Sequence, residues 1–349
     1  MRREGARRDR PPPILYLVRY LITGGAGFIG SHLSEALLER GDAVVALDNL
    51  ATSTGHNLDH LDGRHNFRLV LGSILDELLI DELVADCDVV VHLAAAVGVR
   101  LIVEQPLRSL RTNIRGTEIV LDATHRYHKK AFIASSSEVY GKNSGKMHEQ
   151  ADRVLGPSSI ARWSYSASKA IDEHLALAFW RERQIPTVIG RFFNTVGPRQ
   201  TGAYGMVIPR LVSQALLGEN LEVHGDGTQT RCFCDVEDVV RAVTGLLDSK
   251  AAVGEVFNIG SEEEVSIREV AERVIDITGS ASGVRFVPYE QVYGDQYPAE
   301  EMMRRSPDTT KIRKTIGWEP QHDLNSIIKR TAHYAQDVGP EILLGRKPK

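Results

Sequence analysis

Cysteine is scarce in this chain. Only Cys87, Cys232 and Cys234 carry a thiol, too few for a disulfide framework and in keeping with a reducing cytoplasm. Cys232-x-Cys234 lacks the second pair or the nearby histidine that a metal site needs. The two thiols therefore read as residues on alternate faces of a strand, and no metal is expected. No apolar run reaches the roughly eighteen residues that read as a membrane span, so no membrane partner is expected. An excess of positive charge is missing as well. The formal net charge of −4 argues against nucleic acid as a partner. Internal repeats and low-complexity linkers are also lacking. What remains is an ordinary globular balance, 42% apolar and 25% charged over 349 residues, long enough for about two domains.

The first eighteen residues look foreign to a fold. MRREGARRDRPPP is basic and proline-rich, a composition that favours disorder. Arg19 then interrupts the apolar ILYLV, and no small-residue cleavage site precedes the next strand, so a secretory signal is not expected. Residues 1–18 are read as a disordered leader.

Glycine, by contrast, is concentrated where it has a use. Residues 20–30, YLITGGAGFIG, end an apolar run at Thr23 and place glycines at 24, 25, 27 and 30 before the helical pattern SHLSEALLERG. That order suits a dinucleotide. Gly24 permits a tight turn, Gly27 lets backbone approach a diphosphate, and Gly30 lets helix and strand pack closely, with Phe28 and Ile29 opening the helix. The N–H groups of the helix start face the anion. A second strand, AVVALD, ends in Asp48, roughly twenty residues on, where an acid accepts from the adenosine ribose. No cation follows in NLATSTGHNL, so NAD is expected rather than NADP.

Short apolar runs at 20–23, 43–47, 66–71, 89–93 and 131–134 alternate with helical patterns near 29–39, 75–85 and 106–127. This alternation predicts an α/β fold, a Rossmann-type doubly wound parallel sheet covered on both faces. Ser73 and Ile74, and then Leu93, Ala94 and Ala95, fall at carboxyl ends of strands, where cofactors bind in such sheets. The expected division gives residues 19–193 and 235–260 to the NAD-binding domain. Residues 194–234 and 261–335 form a smaller mixed α/β substrate domain, and 336–349 a tail. In the second unit Arg231 is placed to meet a phosphate, which a guanidinium fork suits well. Ser266 to Glu269 has the form of a capping box.

Two stretches carry the chemistry. ASSSEVYG ends the fifth strand with Ser136 and Glu138, and WSYSASK opens a helix with Tyr165 and Lys169. Four residues apart, Tyr165 and Lys169 share a helical face. An ammonium beside a phenol is expected to lower the phenol's pKa so that it can accept a proton from a sugar hydroxyl. Ser136 would hydrogen bond the same oxygen.

The sequence TGGAGFIGSHL, with LDNL, HLAA, TNIRGT, SSSEVYG, YSASK, RFFNTVGPR, GDGTQTR, DVEDVV, FNIG and GWEP, resembles the extended short-chain dehydrogenase/reductases. These are the NAD-dependent epimerases, dehydratases and decarboxylases of nucleotide sugars. The resemblance covers residues 19–320 or so. It implies catalytic roles for Ser136, Tyr165 and Lys169, and cofactor contacts that include Asn49, Tyr165, Lys169 and the helix residue Asn113, which also supports the water and backbone arrangement of the active site. It also implies a nucleotide-diphosphate sugar as substrate, held by Arg162, Asn194, Arg231 and Arg305. A homodimer through helices 107–127 and 166–183 is implied as well. The family usually has Asp-Ile where this chain has Ser73-Ile74, which predicts a weaker adenine contact.

The resemblance leaves the reaction open among three. All members oxidise C4 of the sugar first. A carboxylate at Glu138 matches 4,6-dehydratases, where it abstracts the C5 proton, and UDP-glucuronate decarboxylases. Arg162 and Arg305 look like the decarboxylases, which favours UDP-glucuronate decarboxylation over 4-epimerisation and 4,6-dehydration. A regulatory NAD-binding module without chemistry is disfavoured because Ser136, Tyr165 and Lys169 are all present.

Overall fold

The computed structural model describes residues 17–53, 55–98, 102, 105–202, 206–293 and 301–346. The predicted leader lies outside the described residues up to position 16.

Seven strands form one parallel sheet: β1 Arg19–Thr23, β2 Ala43–Asp48, β3 Phe67–Leu71, β4 Val89–His92, β5 Lys130–Ser136, β6 Thr187–Phe192 and β7 Val256–Ile259. Their order is β7-β6-β5-β4-β1-β2-β3, so the chain reverses direction between β1 and β4. A crevice opens at the carboxyl ends there, the usual place for a ligand in a doubly wound sheet. Alternation of side chains decides which face each residue serves. Ile22 packs with Leu33 and Leu37 of helix α1 (Phe28–Glu39), while Leu21 packs with Ile80 of α2 (Glu77–Ala85) on the other face. Leu37 is fully buried, and Leu37→Ala is expected to cost about 2–5 kcal/mol through lost burial and the cavity left behind.

The helix expected at 106–127 is broken in register. Pro106–Leu110 (α3) passes through a π turn, Arg111–Arg115, into α4, Gly116–Arg126. Such turns occur at functional sites, and this one carries Asn113. Helix α5, Ser164–Arg183, packs on β5 and β6 through Ala176, Ile133 and Ile189.

The second core lies among α6 (Val207–Leu216), α8 (Ile267–Thr278) and α10 (Leu324–Val338). Between α6 and α8, helix α7 (Val236–Asp248) returns to the large sheet. Ser266 caps α8 by accepting from Glu269 N at 3.2 Å. Two sequence boundaries shift. Ile312 of α9 (Thr310–Ile316) and Trp318 pack in the first core rather than the second. The expected tail is folded, since Leu343 is buried in the second core and its carbonyl accepts from Gly202 N at 2.6 Å. Strand Arg304–Arg305 pairs parallel with Thr230–Cys232, setting Arg305 beside Arg231. Among the described residues no helix is long and apolar enough to cross a membrane.

Candidate active site

The crevice holds a cavity of about 1140 Å³ that runs from the glycine turn to the second core. Gly24, Gly27, Phe28, Ile29, Gly30, Asp48, Asn49, Ser73, Ile74, Leu93, Ala94 and Ala95 line one end. Ser136, Glu138, Arg162, Tyr165, Lys169, Asn194, Arg231 and Arg305 line the rest. Residues drawn from six strand ends and two cores thus converge on one space.

The cofactor end fits a dinucleotide on three structural counts. A Cβ on Gly30 would stand 2.3 Å from the carbonyl oxygen of Gly24, and one on Gly24, at φ 71°, would stand 2.9 Å from Ala94 N. The turn is therefore packed as closely as glycine allows. Helix α1 starts at Gly27 with no side chain capping it, which leaves its first N–H groups for an anion. Asp48 joins the turn to the next loop: Oδ2 accepts from Ala26 N at 3.1 Å and Oδ1 from Leu50 N at 2.8 Å. Burial raises its pKa against the pull of these backbone donors. Ser73 faces the cavity, yet its hydroxyl accepts from Leu75 N at 3.2 Å and serves its own turn.

Asn113, expected both to support the backbone of the site and to contact cofactor, makes backbone contacts. It does not line the cavity. Its Oδ1 accepts from Ala96 N at 2.8 Å, and its Nδ2 donates to Ser168 Oγ at 3.1 Å. The π turn aims the amide at the backbone beneath the site, so it braces the cavity wall and Tyr165's helix rather than touching a ligand.

The catalytic end is dominated by charge. Glu138 follows β5 in a 3-10 turn capped by Ser136, whose Oγ accepts from Glu138 N at 3.2 Å. Its carboxylate takes both prongs of Arg162, at 2.5 and 3.1 Å, and meets Arg305 at 2.6 Å. Burial by itself would raise its pKa, but Arg162 and then Arg305 overcome that and hold it at about 2. Glu138 is therefore an ionised base at neutral pH and not a ready proton donor. Arg231 bonds Glu301 and the carbonyl of Thr230. Asn194 donates to the Cys232 carbonyl at 2.9 Å, joining the two units beneath the cavity.

Tyr165 lies on the first turn of α5, buried, with its phenol hydrogen-bonded to Ser136. The expected lowering of its pKa is reversed by the surrounding side chains. Burial raises it most, Glu138 and Asp172 raise it further, and Ser136 and Arg305 only partly oppose them. Lys169 carries its own counter-ion. Its ammonium donates to Asp172 Oδ2 at 2.8 Å, and both side chains are almost wholly buried. Asp172 was not singled out from the sequence, although its place three residues after Lys169 on one helix put it within reach. Beneath the pair lies a buried polar column. Thr23 Oγ1 meets His92 Nδ1 at 2.8 Å, and His92 Nε2 meets Thr117 Oγ1 at 3.0 Å. Burial, and then Lys169, keep His92 neutral with a pKa of about 3.

Comparison with known proteins agrees with this geometry. The sequence family described as GDP-mannose 4,6 dehydratase matches residues 21–331. A UDP-N-acetyl-alpha-D-glucosaminuronate decarboxylase of Bacillus cytotoxicus is 42% identical over 321 residues, covering 92% of this chain and 98% of that one. UDP-glucuronic acid decarboxylase 1 of Xenopus tropicalis is 33% identical over 330 residues, 93% of this chain and 74% of its own. Among solved structures, a UDP-glucuronic acid 4-epimerase from Bacillus cereus in complex with UDP-glucuronic acid and NAD superposes with a TM-score of 0.83. It is 31% identical and covers 92% of this chain and 100% of its own.

Proposed function

The chain belongs to the GDP-mannose 4,6-dehydratase-like family of extended short-chain dehydrogenase/reductases, enzymes that remodel nucleotide sugars, and on that premise we propose that it is an NAD-dependent UDP-hexuronate decarboxylase. The observation that carries the reading is the ionised Glu138 between Arg162 and Arg305 at the sugar end of the cavity. The 42% identity to a decarboxylase of the N-acetylated uronate makes that sugar the first to try, with UDP-glucuronate second.

NAD, when bound, supplies the hydride acceptor at C4 and returns the hydride at the end. The glycine turn and the uncapped α1 start would hold its diphosphate, and Asp48 its adenosine ribose. Asp48, with no cation after it in NLATSTGHNL, selects against a 2′-phosphate. Tyr165 takes the proton of the C4 hydroxyl, and Ser136 hydrogen bonds the same oxygen. With a ketone at C4 the uronate is a β-keto acid, and the bond to its carboxylate breaks as electrons move into the ring. A guanidinium that gripped this carboxylate would stabilise the charge it must shed, deepening the ground state and slowing the step. Glu138 prevents that grip by occupying Arg162 and Arg305. It is itself ionised, so the proton added at C5 comes from another exchangeable group.

A homodimer is part of the same proposal. Leu107 at the start of α3 and Ile171 on α5 are exposed apolar side chains on the two helices expected to pair with a second copy. Light scattering should report a dimer at micromolar concentration, and a monomer would remove this assembly.

Mass spectrometry of products from UDP-N-acetylglucosaminuronate, UDP-glucuronate, UDP-glucose, dTDP-glucose and GDP-mannose, incubated with NAD in D2O, tests the function. Loss of CO2 from a uronate with one solvent deuterium in the product is expected. A product of unchanged mass with inverted C4 makes the enzyme an epimerase. Loss of water from a neutral sugar makes it a dehydratase.

A further inference from the structure

The Lys169–Asp172 pair is a buried ion pair that includes a residue of the catalytic set, and the mechanism above leaves Asp172 without a task. Asp172 is fully buried on α5, its Oδ2 holds the Lys169 ammonium at 2.8 Å, and Thr117 also hydrogen bonds its carboxylate. Burying a carboxylate costs several kcal/mol unless something compensates, and replacing such a pair by apolar side chains is often neutral or stabilising. Packing does not account for its presence. Lys169 without a counter-ion would be free to turn its whole charge toward Tyr165.

We propose that Asp172 is a positioning residue that fixes the Lys169 ammonium and offsets its charge, and so sets the pH at which Tyr165 becomes a base. The charged and titratable groups around the phenol are few. Glu138 and Arg305 face it from the cavity side, with Arg162 behind Glu138. Lys169 and Asp172 lie one turn along its own helix, and His92 of β4 faces Lys169 from below. The charges of Arg162, Arg305 and Glu138 are bound to one another, Arg231, which also acts on Glu138, is bound to Glu301, Glu173, which acts on Asp172, is bound to Arg191, and His92 is neutral. That leaves the Lys169–Asp172 balance as the adjustable contribution. With Asp172 present the phenol is harder to ionise. A base that is not fully ionised at rest is also a competent acid when the hydroxyl must be restored, which suits a reaction that takes and returns a proton at one oxygen.

The inference rests on Tyr165 as the base, which decarboxylase, epimerase and dehydratase readings share. It therefore stands or falls apart from the choice among them. The test uses the full-length enzyme and whichever sugar of the product panel the wild type converts, and it follows kcat/KM against pH. Asp172→Asn keeps the shape and removes the charge. Its acid limb is expected to move to lower pH by about one unit, the low end of what a neighbouring charge produces, as Lys169 presents its full charge to the phenol. Asp172→Ser should move the limb the same way and serves if the first variant folds poorly. An acid limb that stays in place in both variants, whether or not kcat falls, would show that Asp172 only fills space and would overturn the proposal. A limb that moves to higher pH would overturn it too.

Discussion

Two buried glutamates, each held by arginine, stand at the end of the same strand and do different things. Glu138 pairs with Arg162 and Arg305 and lines the cavity. Glu173 on α5 pairs with Arg191 through two bonds of 2.7 and 2.8 Å and accepts from Ser135 at 2.5 Å, outside that cavity. The division begins at adjacent serines of β5, whose side chains leave opposite faces of the strand. Ser135 serves Glu173, and Ser136 serves Tyr165. Arg191 continues to Tyr140 Oη at 2.8 Å, and Tyr140 donates to Asn258 at 2.7 Å, so the Glu173 network ties β5, β6 and β7 together. The same chemistry is thus used once to hold the strand end in place and once to act on what lies beyond it. Burial does not separate the two roles, nor does a cavity as such, since Glu173 lines a smaller one of about 330 Å³; facing the large crevice at the strand ends does.

That comparison can be broken by substitution. Tyr165→Phe should lower turnover by about 10²- to 10⁴-fold, the usual worth of a general base, while urea unfolding stays where it was. Full activity in this variant would remove Tyr165 from the mechanism. Arg191→Met should do the reverse. It leaves Glu173 buried without its partner, a change that costs about 3–5 kcal/mol, so the urea midpoint should drop sharply. An unchanged midpoint would mean that the Glu173 network holds nothing together. A smaller effect is expected at the far end of the cavity. Asp48→Ala should erode a preference for NAD over NADP of at least tenfold, or about 1.4 kcal/mol, measured as the ratio of dissociation constants. A ratio unmoved by the substitution would mean that Asp48 does not meet the ribose.

The acid stability contributed at Glu138 should change in a defined direction. The Glu138 carboxyl has an ordinary value of 4.5 and is held at about 2 in the fold. A depressed carboxyl pKa contributes stability that is fully present above the unfolded value and is lost as pH falls through the folded one. Unfolding free energy should therefore fall between pH 4.5 and 2, and Glu138→Gln should flatten part of that slope. A slope that Glu138→Gln leaves alone would place the titrating group elsewhere.

Much of this was legible in the sequence because it is local. The glycines, Asp48, Ser136, Tyr165 and Lys169 sit at fixed offsets inside single strand-turn-helix units, and spacing alone brings each to its strand end. Pairings between distant segments were not legible. That Arg305 reaches Glu138 depends on the parallel register of Arg304–Arg305 on Thr230–Cys232, which no local pattern encodes. The π turn was missed because it disturbs apolar spacing by a single residue, yet it decides where Asn113 points. Trp318 was given to the wrong core because chain order suggested the second unit; its indole N–H donates to the Asp238 carbonyl of α7 at 2.9 Å. Asp172 was visible but unused, since a charged residue on a helix reads first as surface. The phenol pKa was misjudged because burial and then the neighbouring Glu138, which raise it most, depend on tertiary packing.

Release of labelled CO2 from a UDP-hexuronate carrying 13C in its carboxyl group, compared between wild type and Glu138→Gln, tests the central claim most directly. The account expects the wild type to release CO2, the variant to release it more slowly because Arg162 and Arg305 are then free to grip the carboxylate, and the two to bind NAD equally well within twofold. Equal CO2 release by both would contradict the role given to Glu138. A wild type that releases none while inverting C4 of the same sugar would contradict the decarboxylase itself.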